Sequence, residues 1–109
     1  MAKTSASVRQ AVKNFARELQ QMGIECERVL LYGSQASGTA TEGSDIDLIV
    51  ISPAWAAYSE RERLEILGIA AARILEPIQA RGATPEEIVT HQISPFLDQV
   101  LREQAVVVA

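Results

Sequence analysis

Two aspartates, Asp45 and Asp47, stand one residue apart at the head of an otherwise apolar run, Ile46-x-Leu48-Ile49-Val50-Ile51. Side chains alternate across an extended strand, so the two carboxylates share a face. A charge pair of one sign is costly there unless a cation or solvent satisfies it. Hard oxygen ligands so arranged suit Mg²⁺, which takes one or two carboxylates together with water and substrate phosphates. Two such ions held by shared carboxylates favour in-line phosphoryl or nucleotidyl transfer. One ion activates the attacking oxygen and the other stabilises the leaving pyrophosphate. Upstream, the run Val29-Leu30-Leu31-Tyr32 stops at Gly33-Ser34. A glycine lets backbone N–H groups approach a phosphate closely, and the serine hydroxyl can donate to the same group. An Asp-x-Asp alone is common, and Ser-Asp often merely opens a strand or turn. Specificity lies in the combination, at this separation and between two apolar runs.

The elements that must position these groups can be read outward from them. Residues 28 to 32 form a strand whose unbroken apolar run implies burial on both faces. Residues 34 to 43 form a loop with Gly38, Gly43, Ser37, Thr39 and Thr41 and no large apolar residue. A second strand runs from about 45 to 51, with Asp45, Asp47 and Ile49 on one face and Ile46, Leu48 and Val50 on the other. Ahead of them, Val8, Val12, Phe15, Leu19 and Met22 recur at helical spacing over residues 5 to 22, with Gly23 at the expected C-terminal cap. After Pro53, Ser59 and Glu62 form a capping box that starts a helix whose buried stripe is Leu64, Leu67, Ala71 and Ile74 or Leu75. Pro77 stops it. Residues 78 to 83 form a weak third strand. Thr84-Pro85-Glu86-Glu87 and Ser94-Pro95 are two further helix starts. The second of these helices presents Phe96, Leu97, Val100 and Leu101, and Val106-Val107-Val108 reads as a short edge strand. The expected fold is therefore α+β in two layers: a small mixed sheet with helices on one face, Asp45 and Asp47 pointing to the partly open other face.

Bulk properties narrow the function. The 109 residues suit a single domain spanning 1–109. The net charge of −4 and the scattered arginines argue against wholesale binding to a nucleic-acid backbone. An acidic protein can still hold a nucleotide through metal ions. The single cysteine, Cys26, excludes an intrachain disulfide and a cysteine zinc site. The N-terminus lacks the apolar stretch of a signal peptide, and no apolar run approaches a membrane span. The expectation is a soluble, cytoplasmic protein.

Other candidates carry less. Gly33-x-x-x-x-Gly38-Thr39 has the glycine spacing of a P-loop but lacks its lysine. His91, the only histidine, reads as a surface residue. Trp55 and Tyr58 could stack on a base or pack over the sheet edge. Arg61 and Arg63 read as solvated helix charges, either of which could face a partner.

Tyr32-Gly33-Ser34-x-x-x-Gly38, followed by Gly43-Ser44-Asp45-Ile46-Asp47-Leu48-Ile49-Val50, resembles the signature of the DNA polymerase beta superfamily of nucleotidyltransferases. In particular it resembles the small stand-alone minimal nucleotidyltransferases, and the resemblance covers nearly the whole chain. It implies a polymerase beta palm-like fold and Mg²⁺-dependent transfer of a nucleoside monophosphate, AMP from ATP in many members, to a hydroxyl acceptor. By that resemblance Asp45 and Asp47 are the catalytic carboxylates and the ligands of two Mg²⁺ ions, while Gly33, Ser34 and Ser44 bind the nucleotide. Such proteins often accompany a helical HEPN-domain toxin as its antitoxin, and a tyrosine hydroxyl of the toxin can be the acceptor. The alternative is an antitoxin without catalysis that masks its partner directly. A piece of a larger polymerase-like enzyme is disfavoured, since both ends of the domain read as complete. Two departures bear on activity. The arginine that relatives carry between the glycines is absent from Gln35-Ala36-Ser37. The third carboxylate expected on the next strand is also absent, with Gln79 in its place and Glu76, just ahead of that strand, as the substitute metal ligand. Glu76 reads equally as a solvent-exposed helix terminus.

Overall fold

The computed structural model describes residues 6–33, 35, 45–103 and 106–108. Helix α1 (Ala6–Gln21) is followed by β1 (Arg28–Tyr32) and β2 (Ile46–Ile51), then a 3-10 helix (Pro53–Ala57). Helix α2 (Glu60–Arg73), β3 (Ile78–Ala83), α3 (Pro85–Val89), α4 (Pro95–Glu103) and β4 (Val106–Val107) complete the described chain. The strands form one mixed sheet in the order β3-β2-β1-β4. β1 runs antiparallel to both β2 and β4, and β2 runs parallel to β3. A parallel neighbour cannot be reached by a tight turn, and α2 is the crossover that makes it reachable.

The local signals act as expected. Ser59 and Glu62 close a capping box on α2, and Thr84 and Glu87 close another on α3. Gly23 adopts φ +89°, the left-handed geometry that ends α1, and the Ile24 N–H donates to the Leu19 carbonyl at 2.9 Å.

The apolar runs of β1 and β2 are unbroken because each strand feeds two cores. Val29, Leu31, Ile46, Leu48 and Val50 join Val8, Val12, Phe15 and Leu19 of α1 and Leu67, Ala70 and Ala71 of α2. Leu30, Tyr32, Ile49 and Ile51 face the other way and meet Leu97 and Val100 of α4. The far face of the sheet is thus open only in part. Helix α4 presents an apolar stripe, and the outer row of β1 and β2 covers it. The end of that face bearing Asp45 stays exposed.

Helix α2 departs from the expected stripe. Leu64 is half exposed and Leu75 is 90% exposed, while Arg63 is buried with Leu67, Ala70 and Ala71. Ile74 packs against the core, but Leu75 sits at φ +56° in the turn that ends the helix. Arg63 is no solvated charge. Its guanidinium donates to both Glu87 carboxylate oxygens at 2.8 and 3.1 Å and to the Gly82 carbonyl, tying α2 to β3 and α3. Arg61 behaves as read, exposed and paired with Glu65.

Trp55 belongs to the core. It is fully buried, its indole N–H donates to the Val50 carbonyl at 3.1 Å, and a Cβ on Gly82 would lie 2.8 Å from its ring. It is therefore unavailable to stack on a base. Cys26 is half-buried, and burial pushes its thiol up to about 11, so it stays a protonated, unreactive thiol at neutral pH.

Candidate functional site

The site is the exposed end of the sheet's outer face, where β1 ends and β2 and β3 begin. Pairing sets its floor. Tyr32 of β1 lies opposite Asp47 of β2, and Asp47 lies beside Gln79 of β3. One pair further along, Ile49 lies beside Arg81. The period of two puts Asp45, Asp47, Gln79 and Arg81 on this face, with Tyr32 among them.

Gly33 holds the junction between β1 and the loop at φ +73°, where an L-residue is strained. A Cβ at this position would lie 2.5 Å from Asp47 Oδ2. The glycine therefore serves two ends: the turn needs its conformation, and the aspartate carboxylate occupies the space a side chain would fill. Ser34 and Ser44, the other expected nucleotide-binding residues, lie outside the described residues, as does the loop 36–43.

Asp45 is exposed and Asp47 half-buried. Burial, and after it the charge of Asp45, raises the Asp47 carboxyl above its usual range. Asp45 Oδ2 accepts a hydrogen bond from the Gln79 side-chain amide at 2.9 Å. Among the described residues neither aspartate forms an ion pair with a lysine or arginine. Two neighbouring carboxylates without a protein cation, one of them partly desolvated, are a donor set that suits a divalent cation with open positions for water and phosphate. The residues present therefore fit Mg²⁺ as a ligand set of two.

Among the described residues, no three His, Cys, Asp or Glu side chains gather into a group that could hold a metal ion. Glu76 is not brought into a cluster with Asp45 and Asp47. Its N–H donates to the Ala71 carbonyl, closing the turn that ends α2, and its carbonyl accepts from Ile78. The position on β3 that faces the aspartates is held by Gln79, as the sequence pattern suggested.

Two residues of this face escaped sequence reading. Tyr32 is buried, and its ring meets Phe96 edge-on at 6.2 Å between centroids. Burial raises its hydroxyl pKa and the Asp47 charge adds to the shift, whereas the charge of Arg81 opposes it. The Arg81 guanidinium carbon lies 5.8 Å from the centre of the Phe96 ring. The only signal in the sequence was the period of two from Gln79. His91 is exposed as read, its ring 3.1 Å from Asp98, which also pairs with Arg102.

The structure is similar to a crystal structure of a toxin–antitoxin with AMP-PNP, with a TM-score of 0.64 and 18% identity, covering 93% of this chain and 72% of that one. It is also similar to a protein from Sulfolobus solfataricus described as a candidate nucleotidyltransferase, with a TM-score of 0.63 and 15% identity, covering 98% of this chain and 87% of that one. At these identities the likeness is one of fold. No curated protein sequence matches. The family model of the nucleotidyltransferase domain matches residues 12–98, which take in the whole sheet floor from Tyr32 to Arg81, and the chain belongs to that family.

Proposed function

We propose that the protein is a Mg²⁺-dependent nucleotidyltransferase that moves a nucleoside monophosphate, AMP from ATP, to a hydroxyl of a protein partner. The observation that carries this reading is the pairing of Asp45 and Asp47 on one exposed face, with Gly33 clearing space beside Asp47. Bound Mg²⁺ would supply charge neutralisation of the triphosphate and of the oxygens that attack and leave. Asp45 and Asp47 would hold it, the amide of Gln79 orienting Asp45. Tyr32 closes the inner side of the floor against water, being buried between Asp47 and Phe96. Gly33, with Ser34 and Ser44, would cradle the phosphates.

The partner in this reading is a HEPN-type toxin, and the protein is its antitoxin in the cytoplasm. Support for a toxin partner comes from the similar fold of a toxin–antitoxin solved with AMP-PNP. Support for a site inside the cell comes from the single cysteine, which fits a reducing compartment.

The test is transfer of labelled AMP to the co-purified partner, read by mass spectrometry. The combined Asp45→Asn and Asp47→Asn protein should lose transfer while keeping its circular dichroism and melting temperature. An unchanged transfer rate would falsify the proposal.

A second reading draws on Gln79. A neutral amide stands beside both aspartates where a third carboxylate would complete a two-metal site. In this reading the protein binds the nucleotide without turning it over and neutralises its partner by covering it. A complex that stays inhibitory without nucleotide, metal or modified tyrosine would favour it.

A further inference from the structure

We infer that Arg81 is the phosphate-binding cation of the nucleotide site, holding the polyphosphate beside the Asp45–Asp47 pair. The inference rests on the nucleotide-site reading above and adds a residue to it. The register sets Arg81 one pair along from Asp47 and Gln79 on the same face. Arg81 also borders an open cavity of about 280 Å³ that wraps the edge of β3 toward Leu64 and Gly68 of α2, with Tyr32 and Gln79 in its lining and the two aspartates outside it.

The charge of Arg81 is uncommitted. Among the described residues Arg61, Arg63, Arg73 and Arg102 each pair with a carboxylate, whereas Arg81, like Arg9, Arg17 and Arg28, pairs with none, and of these Arg81 alone lies at the aspartates' end of their sheet face. Its guanidinium is nonetheless held in place. It lies 5.8 Å from the centre of the Phe96 ring, which itself meets the ring of Tyr32, the residue opposite Asp47. A guanidinium resting on an aromatic ring keeps most of its N–H donors free and loses little freedom on meeting an anion. A planar fork of donors matches two phosphate oxygens at once.

The surrounding charges favour an anion that arrives with its own cation. Asp45 and Asp47 repel a bare phosphate, and only a metal-neutralised polyphosphate can sit between them and Arg81. The carboxylates then take the metal side and Arg81 the phosphate side. This also gives the site a cation that residues 35–37 of the loop do not provide.

The experiment is calorimetric titration of the full chain with Mg·ATP, Mg·tripolyphosphate and adenosine. Arg81→Ala should weaken Mg·ATP and Mg·tripolyphosphate binding by about 10- to 100-fold. Adenosine binding should not change. Arg81→Lys, which keeps the charge but not the fork, should fall between wild type and Arg81→Ala. Phe96→Leu removes the platform and should cost less than Arg81→Ala. Arg81 is exposed, so melting temperatures should stay close to wild type, and the lysine and leucine variants carry the test if the alanine variant unfolds. Mg·ATP affinity in Arg81→Ala within twofold of wild type overturns the inference, as does an equal loss of adenosine affinity. Wild-type protein that binds neither Mg·ATP nor Mg·tripolyphosphate overturns the nucleotide site itself and this inference with it.

Discussion

Gly33 and Asp47 occupy each other's space: a Cβ on the glycine would sit 2.5 Å from the aspartate's Oδ2, at a backbone φ of +73°. The two residues are fourteen apart in sequence, one in the turn that follows β1 and the other in β2, yet the position of one carboxylate depends on the other residue having no side chain. Gly33→Ala should therefore fail twice. The left-handed backbone costs roughly 1–2 kcal/mol with a Cβ present. The collision displaces the Asp47 carboxylate, and a misplacement of that kind should lower transfer by about 100-fold. Thermal melts and transfer kinetics separate the two effects, and a variant with normal transfer would show that Asp47 does not need its present position.

Asp47 should make the metal-free protein less stable than it could be. Its folded pKa is raised, so the ionised form is disfavoured in the folded state, and this loss is present above that pKa and relieved as pH falls through it. Asp47→Asn should melt higher than wild type at neutral pH without metal, with the gap closing in acid. Added Mg²⁺ should reverse the order. At a hundredfold excess over its dissociation constant it should stabilise wild type by about 2.7 kcal/mol and the variant far less. Scanning calorimetry at several pH values, with and without Mg²⁺, reads both halves.

Gln79 sets how strongly the site holds a cation. Its amide donates to Asp45 where a carboxylate would add a third anionic ligand. Gln79→Glu should raise Mg²⁺ affinity by about 10-fold and destabilise the metal-free fold through repulsion within the cluster. Isothermal titration with Mg²⁺ checks this, and an affinity equal to wild type would mean that residue 79 does not reach the metal.

The Arg63–Glu87 pair should be a main structural tie away from the site. Arg63 is buried, and its hydrogen bond, with lesser help from the Thr84 cap, lowers the Glu87 pKa. Glu87→Gln leaves the arginine charge without its partner and should cost about 3 kcal/mol. A depressed carboxylate pKa contributes stability above the usual carboxylate range, and that contribution is lost as pH falls through the depressed value. The gap between wild type and variant in denaturant melts should therefore be full at neutral pH and shrink as pH falls through and below the usual carboxylate range. A constant gap would assign the effect to packing alone.

Much of this protein was legible in local sequence because local physics writes it there. The helix starts at Ser59 and Thr84, the stop at Gly23 and the paired aspartates are decided by neighbours within a few residues, so capping and periodicity reveal them. The expected buried stripe of α2 fails at Leu64, because helical spacing does not say which of two adjacent faces meets the sheet, while Ile74 rather than Leu75 fills its last position. Arg63 reads as a surface charge in the sequence because its partner, Glu87, is twenty-four residues away. The site shows the same division. Asp45, Asp47 and Gly33 could be named from their types and spacing. Arg81 and Tyr32 could not, and the facing of Gln79 toward Asp45 was only suggested. The parallel register of β3 on β2, reached through α2, brings Gln79 and Arg81 beside the aspartates. Cross-strand register is fixed by how two cores pack on both faces of a sheet, and no stretch of sequence carries that information by itself.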